Sequence, residues 1–377
     1  RFKEIMYDTL HYELGQPKRV TTAAGPFTLQ KIKQHGGVCA DQAYYAEHVA
    51  KACGVPSVYV VAKGADVSHA WVGFVEARGR RMEWNFDAGR YDAYQDLRGN
   101  IVNPQTGKRV SDGMVGILGS AMGAPNEEVL ATRAAARAVN RMNQRAWRPG
   151  NDIQLDDRGN VRSARAGSVE DQLALLRAVL TDNAGAPAAW NMVREIAAMS
   201  GMTEQQMDTW TRAVMQLAGR RHQDFAYDFL VDMISTVNDA QRQHEMWEWA
   251  FNQFRSRPDL AAGIRFRQGA LWSQNNNQEY AWLAYKDVAD RFINEGPMVV
   301  EALSSMGEML DRADKRDQLV PVLEDAARRV RRPGEMGTQF ATQSNFYKIN
   351  SMLADEYERM GRTQQASQLR QQIGVRD

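Results

Sequence analysis

Cys39, His69 and Asp87 place a thiol, an imidazole and a carboxylate in that order along the chain. Each sits in a short motif: Gly36-Gly37-Val38-Cys39-Ala40-Asp41-Gln42-Ala43, Ser68-His69-Ala70-Trp71-Val72 and Trp84-Asn85-Phe86-Asp87. That order is the equipment of a cysteine nucleophile. A thiol is only slightly ionised at neutral pH, so chemistry at Cys39 needs a base beside it and a third group to hold that base in one tautomer.

The surrounding residues say which elements must carry these groups. Two glycines ahead of Cys39 let the chain turn tightly and approach a substrate backbone closely. After it, Ala43, Ala46, Val49, Ala50 and Cys53 recur at helical spacing until Gly54 and Pro56 stop the run. Cys39 therefore opens a helix. Unpaired N–H groups and the positive end of the helix dipole would surround the sulfur, favour the thiolate and supply an oxyanion site. Val58-Tyr59-Val60-Val61 reads as a strand, His69 opens a second through Val72, Phe74 and Val75, and Arg81 to Phe86 forms a third, ending at Asp87. If these strands are antiparallel neighbours packed on the Cys39 helix, His69 and Asp87 can reach one end of the sheet.

These residues resemble the transglutaminase-like, papain-related superfamily. The match rests on the Gly-Gly-Val-Cys-Ala-Asp-Gln-Ala helix start, the exit Cys53-Gly54-Val55-Pro56-Ser57-Val58, the strand His69-Ala70-Trp71-Val72, and Asp87 closing a strand with Trp84. It covers roughly Leu29 to Tyr91. The resemblance implies Cys39 as nucleophile, His69 as base and Asp87 as the orienting acid. It does not select a reaction, because the superfamily includes cross-linking enzymes, proteases, amidases, peptide deglycosylating enzymes and inactive members. The family usually places a longer insert between Trp and Asp, whereas Trp84 and Asp87 are three apart here. Asn85 is held in reserve, since an amide oxygen also accepts the imidazole N–H.

Other residues are weighed against plainer roles. Cys53 lies on the apolar stripe and is expected in the core. Gln30 and Gln34 could donate an N–H to a developing oxyanion, against the simpler role of a solvated helix face. Trp71 and Trp84 are expected to pack the strands. On one helix the two cysteines would stand about 21 Å apart, far beyond disulfide reach, so both thiols should be free and cysteine usage does not indicate a compartment. The chain begins at Arg1 with no Met and no apolar signal stretch, so any targeting segment would lie outside this sequence.

The 377 residues predict two or three domains. Lysine plus arginine (47) balances aspartate plus glutamate (46), which gives no electrostatic case for nucleic acid. No apolar run is long enough to span a membrane. The histidines are scattered at 11, 35, 48, 69, 222 and 244 without metal-ligand spacing, and there is no phosphate-cradling glycine loop. No metal or cofactor is expected.

Residues 1–125 read as an α+β transglutaminase-like domain, a helix packed on an antiparallel sheet. Asp96 to Val115 reads as a hairpin turning near Pro104-Gln105-Thr106-Gly107. Residues 126–167 form a connection: a helix from Glu127 to Trp147, then a linker or small hairpin from Arg148 to Gly167. Residues 168–377 read as all-α. There Gly269, Trp272, Ala281, Tyr285 and Val288 share their offsets with Gly307, Leu310, Leu319, Leu323 and Ala326. Ala354, Tyr357, Ala366, Arg370 and Ile373 share them too, with Arg370 in place of the expected large apolar residue, and Ala218, Leu230, Ile234 and Val237 give a fainter copy. The offsets resemble a degenerate tetratricopeptide array, in which small residues let paired helices approach and large ones fill the seam. Its many aromatics, Trp210, Phe225, Phe229, Trp247, Phe254 and Trp272 among them, are expected between helices rather than in a peptide groove. Arg328, Arg329, Arg331 and Arg332 read as a solvated helix end.

Two functions fit. One is a cysteine enzyme that transfers or hydrolyses the acyl group of a peptide or side-chain amide through a thioester, with a protein or peptide as substrate and hydrolysis as the default. The other is an inactive fold serving, with the helical array, as a scaffold for a protein partner.

Overall fold

The computed structural model describes residues 4–79, 81–88, 98–120, 168–199 and 201–374, with short pieces at 130, 134, 137, 154–155 and 161–163. Three short helices precede the nucleophile: α1 (Thr9–Leu14), α2 (Arg19–Thr22) and α3 (Leu29–His35). Thr28 caps α3 through the N–H of Lys31, and α3 stops at Gly36, whose φ of 77° is a left-handed value suited to glycine. Helix α4 then runs Cys39–Ala52. The β-branched run becomes β1 (Ser57–Lys63), antiparallel to β2 (Ser68–Arg78), with Ala62 opposite His69 and Val60 opposite Trp71. With β3 (Arg81–Asn85), β4 (Asn100–Val102) and β5 (Arg109–Ser111), these form one sheet in the order β3-β2-β1-β4-β5.

The β4–β5 hairpin turns where the sequence placed it. Asn103 N–H donates to Lys108 O, and Gly107, at φ 67°, donates to Asn103 O. It ends sooner than expected, because α5 (Asp112–Ser120) begins at once: Ser111 Oγ takes the Met114 N–H and starts the turn. β6 (Gln154–Leu155) and β7 (Val161–Ser163) pair antiparallel, which makes the expected connection a small hairpin there. Apart from residues 130, 134 and 137, the stretch Glu127–Trp147 lies outside the described residues.

Helices follow: α6 (Val169–Asp182), α7 (Pro187–Ala198), α8 (Glu204–Val214) with a π-turn at Met215–Gly219, and α9 (Gln223–Ile234). Then come α10 (Ala240–Gln253), α11 (Pro258–Gln274), α12 (Gln278–Arg291), α13 (Met298–Arg312) and α14 (Leu319–Arg329). The last are α15 (Thr338–Ala341), α16 (Asn345–Arg359) and α17 (Thr363–Gln372). Among the described residues no helix is long and apolar enough to cross a membrane.

The chain divides into two compact units that interleave in sequence. One comprises Val75–Asn85 and Val110–Asp239. Its core is aromatic: Trp190 meets Phe225 and Phe229 edge-on at centroid distances of 5.4 and 4.9 Å, and Trp210 at 6.3 Å. The other comprises Arg1–Phe74, Phe86–Arg109 and Ala240–Asp377. Here the helical end of the chain is joined to the β1–β2 turn. Asn345 N–H donates to Ala65 O at 2.7 Å, and Arg331 pairs with Asp66 at 2.8 Å. The basic run is thus partly anchored rather than wholly solvated.

The expected aromatic packing holds at Trp210, Phe225, Phe229, Trp247 and Phe254, all buried. In the α11–α12 pair, a Cβ on Gly269 would sit 2.6 Å from the Tyr285 ring, so the small residue does let the helices close. Asn275–Asn277 forms the turn, with Asn276 at φ 57° and Asn277 capping α12. Arg370, where the repeat expects an apolar residue, instead binds Asp355 and Glu358.

Candidate functional site

The corner before Cys39 is built against the chain's own N-terminal segment. Gly37 N–H donates to Met6 O (3.0 Å), Asp8 N–H donates to Gly37 O (3.1 Å), and Gln42 Nε2 donates to Ile5 O (2.8 Å). A Cβ on Gly36 would run into the Met6 carbonyl, and one on Gly37 into the Asp41 side chain. The two glycines do permit a close backbone approach, and the backbone that meets them here is this segment rather than the expected substrate. Asp8 anchors it: fully buried, its carboxylate accepts from Arg19 N (2.9 Å) and Arg19 Nε (3.1 Å).

Val38 is extended and Cys39 is the first residue of α4. A helix leaves its first N–H groups without partners inside the helix. The carboxylate of Asp41, 6 % exposed, reaches back to accept the Val38 N–H at 3.0 Å. Lys18 Nζ meets both oxygens of that carboxylate, at 3.1 and 3.0 Å. The ion pair and the cap together fix the first turn.

The Cys39 sulfur is half-buried and accepts from the backbone N–H of Ala40 and of Ala70. Ala70 follows His69, so the structure brings the thiol to the strand residue next to the imidazole. The helix start does not yield the expected preformed thiolate. Burial pushes the thiol above its ordinary value, and the Asp41 charge adds to it; the two N–H groups and Lys18 pull the other way without offsetting burial.

His69 is 4 % exposed and stacks on Trp71, ring centroids 5.6 Å apart. Alternation along β2 turns His69 and Trp71 to one face and Ala70 and Val72 to the other. Asp87 is exposed just past β3. Asn85 Nδ2 donates to Glu76 Oε2 at 2.9 Å, so that amide is engaged with its hairpin neighbour. Gln30 and Gln34 lie on the exposed side of α3, the solvated face weighed for them. Trp71 is buried and the Trp84 ring lies against Gly119 of α5, both as packing residues.

Cys53 departs from expectation: it is exposed, not core. Helix α4 ends at Ala52, and Cys53 is its C-cap, so the 3.6-residue stripe no longer governs where that side chain points. Both cysteines are free.

Three residues near the thiol carried no assigned role in the sequence. Asp41 had a readable signal, an acid three residues after an extended cap position. Lys18 had none, since its partner is 23 positions away. Tyr59 on β1 is the third. Burial first, and then the negative charges of Cys39, Asp41 and Glu47, push its phenol up to about 12. Among the described residues no group of three or more His, Cys, Asp or Glu side chains could hold a metal ion. No family model matches the chain, and no curated protein matches it.

Proposed function

We propose that this protein is a transglutaminase-like cysteine enzyme acting on peptide or side-chain amides. The observation that supports it is the Cys39 sulfur at the first residue of α4, hydrogen-bonded by the N–H of Ala70, the neighbour of His69. In this reading the thiol is protonated at rest, so His69 works as a general base during attack rather than holding a standing ion pair.

The imidazole takes the thiol proton as sulfur bonds to the amide carbonyl carbon. The carbonyl oxygen gains negative charge and needs N–H donors; those around the Cys39 helix start are the nearest. The C–N bond then breaks and the departing amine takes the proton from the imidazolium. Water resolves the thioester to an acid, or a second amine resolves it to a new amide. Asp87 is assigned to orient the imidazole, with Asn85 in reserve.

A second reading has its own support. The raised thiol and the buried imidazole suit an inactive fold that binds a protein partner with the helical array. Tyr280 and Leu283 of α12, both exposed, are apolar residues that array would offer. A peptide library screened for amide hydrolysis and for amine incorporation separates the two, with Cys39→Ala as control. Turnover lost in Cys39→Ala supports the enzyme; turnover by neither route, with partner capture unchanged in Cys39→Ala, supports the scaffold.

A further inference from the structure

We infer that Lys18 and Asp41 are positioning residues for the Cys39 thiol: the pair holds the first turn of α4 and sets the charge balance in which the sulfur ionises. The inference rests on the proposed role of Cys39 and goes on to name what tunes it.

Asp41 is placed by more than its ion pair. Its side chain fills the space a Cβ on Gly37 would need, and it takes the Val38 N–H one residue ahead of the nucleophile. A carboxylate this buried is costly to hold unless it is paired. Lys18, whose side chain is 27 % exposed, supplies the counter-charge from the segment just before α2. Any movement of Lys18 is therefore felt at Val38 and Cys39. The two charges act on the thiol with opposite sign, Asp41 against ionisation and Lys18 for it. The other titratable groups that act on this end of α4 are Tyr59 on β1 and Glu47 two turns along α4, while the register of β2 sets His69 on the sheet face opposite Tyr59. Arg19 is committed to Asp8.

A merely structural pair and a tuning pair differ in what they do to a pH profile. If the pair only braces the turn, losing either member loosens the same turn and moves thiol reactivity the same way. If it tunes the thiol, the two losses act oppositely.

The experiment is iodoacetamide labelling of the full chain across pH, in a Cys53→Ser background because Cys53 is exposed and would label too. Lys18→Met should slow Cys39 labelling at fixed mildly alkaline pH by roughly threefold and move the profile to higher pH, as expected for losing one screened favourable charge. Asp41→Asn should speed it by a similar factor, and Lys18→Arg should restore the parent profile. Shifts of the same sign in Lys18→Met and Asp41→Asn, or no shift in either, overturn the inference. Should Asp41→Asn not fold, the direction of the Lys18→Met shift decides alone: loss of the charge moves the profile to higher pH, whereas a loosened turn that uncovers the sulfur moves it to lower pH, so a shift to lower pH or none overturns the inference. Labelling needs no turnover, so the result stands whether or not the amidase reading survives. That reading is judged separately by loss of turnover in Cys39→Ala.

Discussion

The start of α4 and the helix pairs of α11 to α16 are held in opposite ways. Around Cys39 the ties are polar and directional: Asp8 with Arg19, Asp41 with Lys18, and Gly37 with Met6. In the helical region Ala281, Val288, Leu303, Met306, Leu319 and Leu323 share one apolar core, and fit between surfaces does the work. A polar corner fixes where a few atoms lie at modest gain in stability. An apolar seam supplies stability while leaving individual directions loose, so the precision is concentrated at the site and the stability in the helices.

That contrast predicts a ranking of mutations, each read from denaturant unfolding. Leu303→Ala, at a fully buried position, should cost about 3 kcal/mol. Gly269→Ala should cost about 2 kcal/mol, because the added methyl would press on the Tyr285 ring. Gly334→Ala, with nothing near its would-be Cβ, should be close to neutral and serves as the control. Asp8→Asn should cost only about 1.5 kcal/mol, since Arg19 is partly solvated and screened, yet it should alter Cys39 labelling where Leu303→Ala does not. Equal labelling in those two variants would erase the distinction between the regions.

A further, smaller effect than the losses at Leu303, Gly269 and Asp8 concerns pH. Tyr59 holds its proton to about 12 in the folded chain and ionises near 10 when unfolded. Between those values the unfolded state has already lost the proton, so stability falls as pH rises. At pH 11 the loss should be roughly 1 kcal/mol. Tyr59→Phe should flatten that slope, and an unchanged slope would place the alkaline sensitivity elsewhere.

The two regions were also unequally legible from the chain alone. The helix opening at Cys39 and the strands at Val58 and His69 were readable because glycine punctuation and β-branched runs are local signals. So was the β4–β5 turn, where Asn103, Pro104 and Gly107 carry the geometry. Cys53 escapes the apolar stripe because the backbone stops being helical one residue before it. The state of the thiol is not legible in the chain, because a helix start advertises its N–H groups in sequence, whereas burial, the larger effect here, does not show until the fold closes over the sulfur. Lys18 and the Met6–Gly37 contact were hidden for the same reason, being pairings between distant positions. The union of the helical end with the β1–β2 turn, through Asn345 and Arg331, left no trace in composition.

The central claim is that Cys39 is a nucleophile served by His69. Its most direct test is acylation by an activated ester, followed by intact mass in the Cys53→Ser background. The account predicts a single acyl adduct on Cys39, absent in Cys39→Ala and formed about a hundredfold or more slowly in His69→Ala. Acylation at the same rate with and without His69, or amide turnover persisting in Cys39→Ala, would contradict it.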